Sequence, residues 1–217
     1  MQVSLQEITE EAERNIINIA RVSNPANQNN PEYAKLIKYC ITHQHWSVFE
    51  HSFMTLEIET STAIATQILR HRSFTFQQFS QRYADPTQLG FEPIELRRQA
   101  EKNRQSSMLR IEEADEKVLE ETWFMLLEDI QHLYNRMIDA GVAKECARFI
   151  LPQCTATRMY MSGNIRSWIH FIQLRCGEDV QLEHRQVALA AKKIFCRELP
   201  VTASALEWVG DRGKENP

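Results

Sequence analysis

The chain is 217 residues long and carries 25 Lys and Arg against 29 Asp and Glu, a formal net charge of −4 at pH 7. That length is enough to bury a sizeable interior, and one domain over residues 1–217 is expected. The acidic balance excludes a polyanion-binding field over the whole molecule, so any bound anion must be met by a local basic cluster.

Cys40, Cys146, Cys154, Cys176 and Cys196 are scattered and form no Cys-x-x-Cys pair, which points to free thiols in a reducing cytoplasm. The first twenty residues hold four glutamates and no apolar stretch flanked by basic residues, so neither a leader nor an anchor is expected; no later run approaches membrane-spanning length.

Residues 9–22 predict an amphipathic helix, with Ala12, Ile16 and Ile19 on one stripe. A polar loop follows, and Asn30-Pro31 predicts the start of a second helix by the N-cap and first-turn rule. Residues 52–60 alternate Met54, Leu56 and Ile58 with Thr55, Glu57 and Glu59, the period of a half-buried strand. Ser61 is the expected cap of the helix TAIATQILRH, and the alternating Phe74 and Phe76 predict an extended run after it. Residues 84–107, with Pro86, Gly90 and Pro93, read as a long surface loop or excursion.

Residues 115–140 predict a long helix whose Leu119, Trp123, Leu126, Ile130, Leu133 and Met137 form a seam for the core or for a partner subunit, with Gly141 as its stop. Further helices are expected around Glu145, over residues 164–175 and over residues 180–199, before a charged tail, DRGKENP. On the 164–175 helix, Arg166, His170 and Gln173 share a polar face.

Three clusters carry candidate chemistry. In RHRSFTFQQFSQRY, residues 70–83, Arg70, Arg72 and Arg82 supply guanidinium forks suited to phosphate oxygens, and Gln67 lies one turn before Arg70. The stretch HQHWSVFEH, residues 43–51, lacks a firm metal-ligand spacing, and hydrogen-bonding histidines are expected rather than a metal site. The third cluster, Glu145 to Arg175, gathers Arg148, Asn164, Arg166, His170 and Arg175 on elements whose other faces are apolar. It suits an anionic ligand or an ion-pair network with Glu145, Glu178 and Glu183. No Gly-rich phosphate loop and no Gly-x-Ser-x-Gly elbow is present.

Arg70-His71-Arg72 through Ser80, Arg82 and Tyr83 resembles the signature of the flavin-dependent thymidylate synthase family. HxSxFEH from His45, Gln67, ECARxxLP from Glu145 and NxRxxxHFxxLR from Asn164 follow in that family's order. The resemblance implies an α+β fold, a central antiparallel-type sheet surrounded by helices, of the thymidylate synthase-complementing kind. It implies reductive methylation of dUMP to dTMP, with 5,10-methylenetetrahydrofolate as carbon donor and FAD, recharged by NADPH, as the hydride source. It also implies a homotetramer with active sites shared between subunits, in the cytoplasm, and a role involving neither nucleic acid nor membrane.

Carried over, His45, Ser47, Glu50, Arg70, His71, Arg72, Gln78, Asn164, Ile165, Arg166 and His170 would hold FAD. Gln67, Arg70, Gln78, Phe79, Ser80, Gln81, Arg82, Arg148 and Arg175 would hold dUMP. Arg175 is the expected electrophilic group at the uracil edge, and Ser80 the substrate-orienting hydroxyl or nucleophile. No metal is implied. The chain departs from the family's usual Asn and Glu at Gln77 and Gln78, and the lost charge at Gln78 implies a weakened enzyme. A silent FAD- and dUMP-binding member, and a single-stranded nucleic-acid module using interleaved basic and aromatic residues, are the other readings.

Overall fold

The computed structural model describes residues 1–103 and 105–208; the charged tail, residues 211–217, lies outside them. The chain forms β1 (Gln2–Ile8), α1 (Ala12–Ala20), α2 (Ala34–Thr42), β2 (Phe53–Ser61), α3 (Thr62–Ile68) and β3 (Thr75–Gln78). Then come β4 (Arg97–Gln99), β5 (Ser107–Arg110), α4 (Glu113–Asp139), α5 (Lys144–Ala147) and β6 (Ala156–Asn164). The helices α6 (Ile165–Arg175), α7 (Leu182–Glu198) and α8 (Pro200–Ala205) follow. The fold is α+β, as expected: an antiparallel four-stranded sheet in the order β1-β2-β6-β3, with helices packed on it.

The alternation in β2 sets the sheet's two faces. Met54, Leu56 and Ile58, with Met159 and Met161 of β6, are fully buried and receive Trp168 and Phe171 of α6 and Val187 and Phe195 of α7. Burying each such large side chain contributes about 1.5–3 kcal/mol relative to leaving it exposed. On the other face, cross-strand polar pairs fix the register: Thr55 Oγ1 donates to Ser162 Oγ over 2.9 Å, and Arg158 Nε donates to Glu59 Oε1 over 2.8 Å.

Caps place the elements that carry the site. The Ser61 hydroxyl accepts from Ile64 N at the start of α3, and Asn164 Oδ1 accepts from Ser167 N over 2.8 Å at the start of α6. Phe74, between the Arg70–Arg72 turn and β3, lies edge-on to Trp168 with ring centroids 4.9 Å apart. Its ring also covers Gly163 so closely that a Cβ there would sit 2.5 Å from the ring carbon Cδ1. Gly163 therefore holds the basic segment down on the sheet.

Several expectations need correction. Helix α1 begins at Ala12 because Glu11 takes a left-handed φ of 46°. Helix α2 begins at Ala34, not at Pro31: Asn30 Oδ1 accepts from Glu32 N at 2.9 Å, but the turn it closes does not continue as helix, and Tyr33 precedes the first helical residue. Strand β1 was not foreseen, since a register shift between Leu5 and Glu7 breaks its alternation. The excursion is anchored where it is described, over residues 84–103 and 105–107: Glu92 N donates to Cys154 O over 2.8 Å, and β4 pairs with β5. Helix α4 ends as expected, with Gly141 at φ 84°. Its seam does not enter this chain's core: Leu119, Leu126 and Leu133 are about half exposed, as are Phe124 and Met125.

Replacing Gly163 with Ala should destabilise the protein by about 1–3 kcal/mol, the usual range for overpacking, because the new methyl must displace a ring wedged against Trp168. Urea unfolding at neutral pH reads the change directly. An unaltered midpoint would mean that Phe74 does not rest on Gly163.

Candidate functional site

The candidate residues gather at three places. The first is a cleft of about 570 Å³ lined by Trp46, Glu50, Ser73, Asn164, Arg166, Ser167, Ile169, His170 and Gln173. The 3.6-residue period puts Arg166, His170 and Gln173 on its wall, as read from the sequence, and Arg166 forms an ion pair with Glu50. The Asn164 side chain is already engaged as a cap. Ile165 has its side chain in the core and donates its backbone N–H to Ser52 O over 2.9 Å, so neither its side chain nor its N–H is left for a ligand. His45, just before the short 3-10 turn Trp46–His51, and Ser47, within it, are exposed and do not line this wall. His43 donates from Nδ1 to Tyr39 O over 2.9 Å and stacks on the Tyr39 ring.

The second place is a cluster behind the basic turn. Arg175, the last residue of α6, donates from Nε to His71 Nε2 over 3.0 Å. The bond commits His71 to the Nδ1–H tautomer, and the two terminal nitrogens of Arg175 have no hydrogen-bond partner among the described residues. His71 stands edge-on to Phe171 at 4.9 Å and to His184 at 6.0 Å. Burial first, then the charges of Arg175 and His170, push the His71 pKa down to about 4. Burial and the charges of Arg175 and His71 do the same for His184, also to about 4. Gln67 joins this cluster through its side-chain contacts with Gln181, at 2.6 Å, and with His184, at 3.2 Å. His71 thus supports Arg175 from behind, whereas Arg70 and Arg72 are exposed.

The third place is an open groove lined by Ser80, Arg82, Tyr83, Ala143, Lys144 and Glu145. Arg82 is ion-paired with Glu145 at 2.9 Å, Ser80 is exposed and Gln81 is half-buried. Arg148 is half-buried, with its guanidinium 5.8 Å from the Phe149 ring centroid. Between the second and third places runs β3. Gln78 Nε2 donates to the buried Thr157 hydroxyl over 3.2 Å, and Phe79 N donates to Arg158 O over 2.8 Å. Phe74 is buried and Phe76 half-buried, so these rings belong to the core and do not form the stacking platform of the nucleic-acid reading.

Sequence reading missed the roles of Gln181, His184 and Thr157. A lone histidine among the charged and apolar residues of α7 carries no local signal, and only its position opposite Gln67 reveals it. Among the described residues no group of three or more His, Cys, Asp or Glu side chains is arranged to hold a metal ion, and no helix is long and apolar enough to cross a membrane.

The four-stranded antiparallel sheet with helices packed on it, of the α+β class, has a counterpart among solved nucleotide methylases. The UMP/dUMP methylase PolB from Streptomyces cacaoi, solved with 5-Br dUMP, superposes with a TM-score of 0.82 at 26% identity over 95% of this chain and 94% of that one. Residues 4–201 match the family described as thymidylate synthase complementing protein, and the chain belongs to that family. A flavin-dependent thymidylate synthase of Synechocystis sp. is 52% identical over 189 residues, 87% of this chain and 86% of that protein. A probable flavin-dependent thymidylate synthase of Paramecium bursaria Chlorella virus 1 is 51% identical over 204 residues, 91% of this chain and 92% of that one.

The two depressed histidines set a pH dependence. Between pH 6.5, the ordinary histidine value, and about 4, the unfolded chain binds protons that folded His71 and His184 refuse. Stability should therefore fall as pH drops through that window, by at most about 1.4 kcal/mol per pH unit for each histidine. Urea midpoints at several pH values, compared with those of His184→Asn, test this: the variant should show a clearly shallower slope, and an equal slope would contradict the assignment.

Proposed function

We propose that this chain, acting as one domain, is a flavin-dependent thymidylate synthase that converts dUMP to dTMP with methylenetetrahydrofolate as carbon donor. The observation that carries the reading is the bond from Arg175 Nε to His71 Nε2, 3.0 Å long, which orients from a half-buried position a guanidinium fork with no partner among the described residues. Such a fork matches the N3 and O2 edge of uracil and stabilises negative charge developing on that ring.

The residues of the first cleft fit FAD in chemical kind. Arg166 and His170 offer donors suited to a pyrophosphate, Trp46 and Ile169 offer an apolar wall for a flat ring, and exposed Arg70 and Arg72 add further phosphate donors. When bound and reduced, by NADPH in this reading, the flavin supplies the hydride that completes the methyl group. Gln67 and Arg148 bind and orient the nucleotide, and Ser80 and Arg82 meet its phosphate. No enzyme nucleophile is needed, since Arg175 activates the ring by charge alone.

The site is shared between copies of a homotetramer. Both ends of the basic segment address the nucleotide, yet the extended run from Thr75 to Ser80 alone spans about 17 Å, longer than a nucleotide phosphate contact allows. The half-exposed apolar seam of α4 supplies a face for the other copies. Gln78 stays within this arrangement: its amide holds the Thr157 hydroxyl, and it keeps one acceptor for the ligand where the family's usual residue has a charge.

Arg175→Lys keeps the charge but loses both the fork and the Nε–H that meets His71. Turnover of dUMP should fall roughly two to three orders of magnitude, as for loss of one preorganised donor, while the flavin absorbance of the purified protein is retained. Near-normal turnover would remove Arg175 from the chemistry. An unaltered protein that binds flavin but never oxidises it in the presence of dUMP and methylenetetrahydrofolate would overturn the function.

A further inference from the structure

Behind Gln67 and Arg175 runs a chain of hydrogen bonds whose direction is fixed from one end. Glu183, in the first turn of α7, can only accept when ionised. Burial by itself would raise its pKa, but hydrogen bonds from Arg97, from its own backbone and from Gln181 outweigh burial and hold the carboxyl below its usual range. Arg97 Nη2 donates to Oε1 over 2.6 Å, and Gln181 Nε2 donates to Oε2 over 2.9 Å. Gln181 must then turn its carbonyl the other way, where it accepts from Gln67 Nε2 over 2.6 Å. The Gln67 carbonyl is left facing His184 Nδ1, 3.2 Å away, and that nitrogen must carry the proton. Reversing either amide would set oxygen against oxygen at Glu183 or at Gln181.

His184 is 1% exposed, and its other nitrogen, Nε2, has no hydrogen-bond partner among the described residues. A buried imidazole with one nitrogen unpaired is costly to keep unless the paired nitrogen serves something. Here the paired nitrogen serves Gln67, and the ring stands edge-on to His71, the acceptor for Arg175. We propose that His184 is a positioning residue for nucleotide recognition: its Nδ1–H closes the Arg97–Glu183–Gln181–Gln67 chain and fixes which end of the Gln67 amide faces each side of the pocket. The chain also ties the β4–β5 excursion, through Arg97, to the nucleotide contacts. The inference rests on the reading of Gln67 as a dUMP contact.

Two variants separate positioning from packing. His184→Asn puts an amide N–H where Nδ1 stood, whereas His184→Gln carries the donor one bond further, near the place of Nε2. Calorimetry with dUMP on the flavin-loaded protein should give His184→Asn an affinity within about threefold of the unaltered protein. His184→Gln should bind about tenfold more weakly, with KM rising and kcat nearly constant, as loss of one hydrogen bond to the half-buried Gln67 carbonyl implies. His184→Met, of similar bulk and without a donor, should match His184→Gln and replaces it if that variant does not fold. Equal affinities for the Asn and Gln variants, whether both normal or both impaired with flavin retained, would overturn the positioning role. Absence of dUMP binding by the unaltered protein would instead defeat the function on which the inference stands.

Discussion

The site depends on burial keeping an imidazole neutral beside a guanidinium. If His71 took up a proton, its Nε2 would change from acceptor to donor and would repel Arg175 instead of orienting it. Desolvation and the charge of Arg175 itself prevent this, so the arginine maintains the acceptor that holds it. Phe171, edge-on to His71, and Phe74, wedged over Gly163, make the surroundings apolar enough for the effect. The aromatic residues of the basic segment thus act through packing, and the charged residues act through the geometry that packing allows.

A second constraint follows from chain direction. Strand β3 is short and lies at the edge of the sheet, paired only with β6, so the residues before it and after it face different regions. His71 and Gln67 join Arg175 at one end, while Ser80 and Arg82 join Glu145 at the other. Among the described residues, no side-chain hydrogen bond or ion pair links the second group to the first. Under the proposed sharing between copies, a single extended motif would serve two sites, and the half-exposed seam of α4 would give those copies a surface to meet on.

Much of this was legible in the sequence where one period or one cap decided the outcome. Met54, Leu56 and Ile58 announced β2, Ser61 announced the helix it caps, and the polar stripe of Arg166, His170 and Gln173 lines a cleft as its spacing implies. What was not legible depended on interactions between distant residues. The bulge in β1 hid its alternation, and the charged residues of β4 and β5 gave no apolar period. His184 lies 117 positions from Gln67, and Thr157 lies 79 from Gln78, so their roles exist only in the folded chain.

Mixing two impaired variants tests the central claim, that one functional site draws Arg175 from one copy and Arg82 from another. Arg175→Lys and Arg82→Ala proteins, each nearly inactive alone, would be unfolded together, refolded as a mixture and assayed for conversion of dUMP. Random assembly should restore about a quarter of the unaltered activity, because about a quarter of the sites would combine an intact Arg175 with an intact Arg82. Activity no greater than that of the separate variants would place both arginines of each site on the same copy and contradict the account.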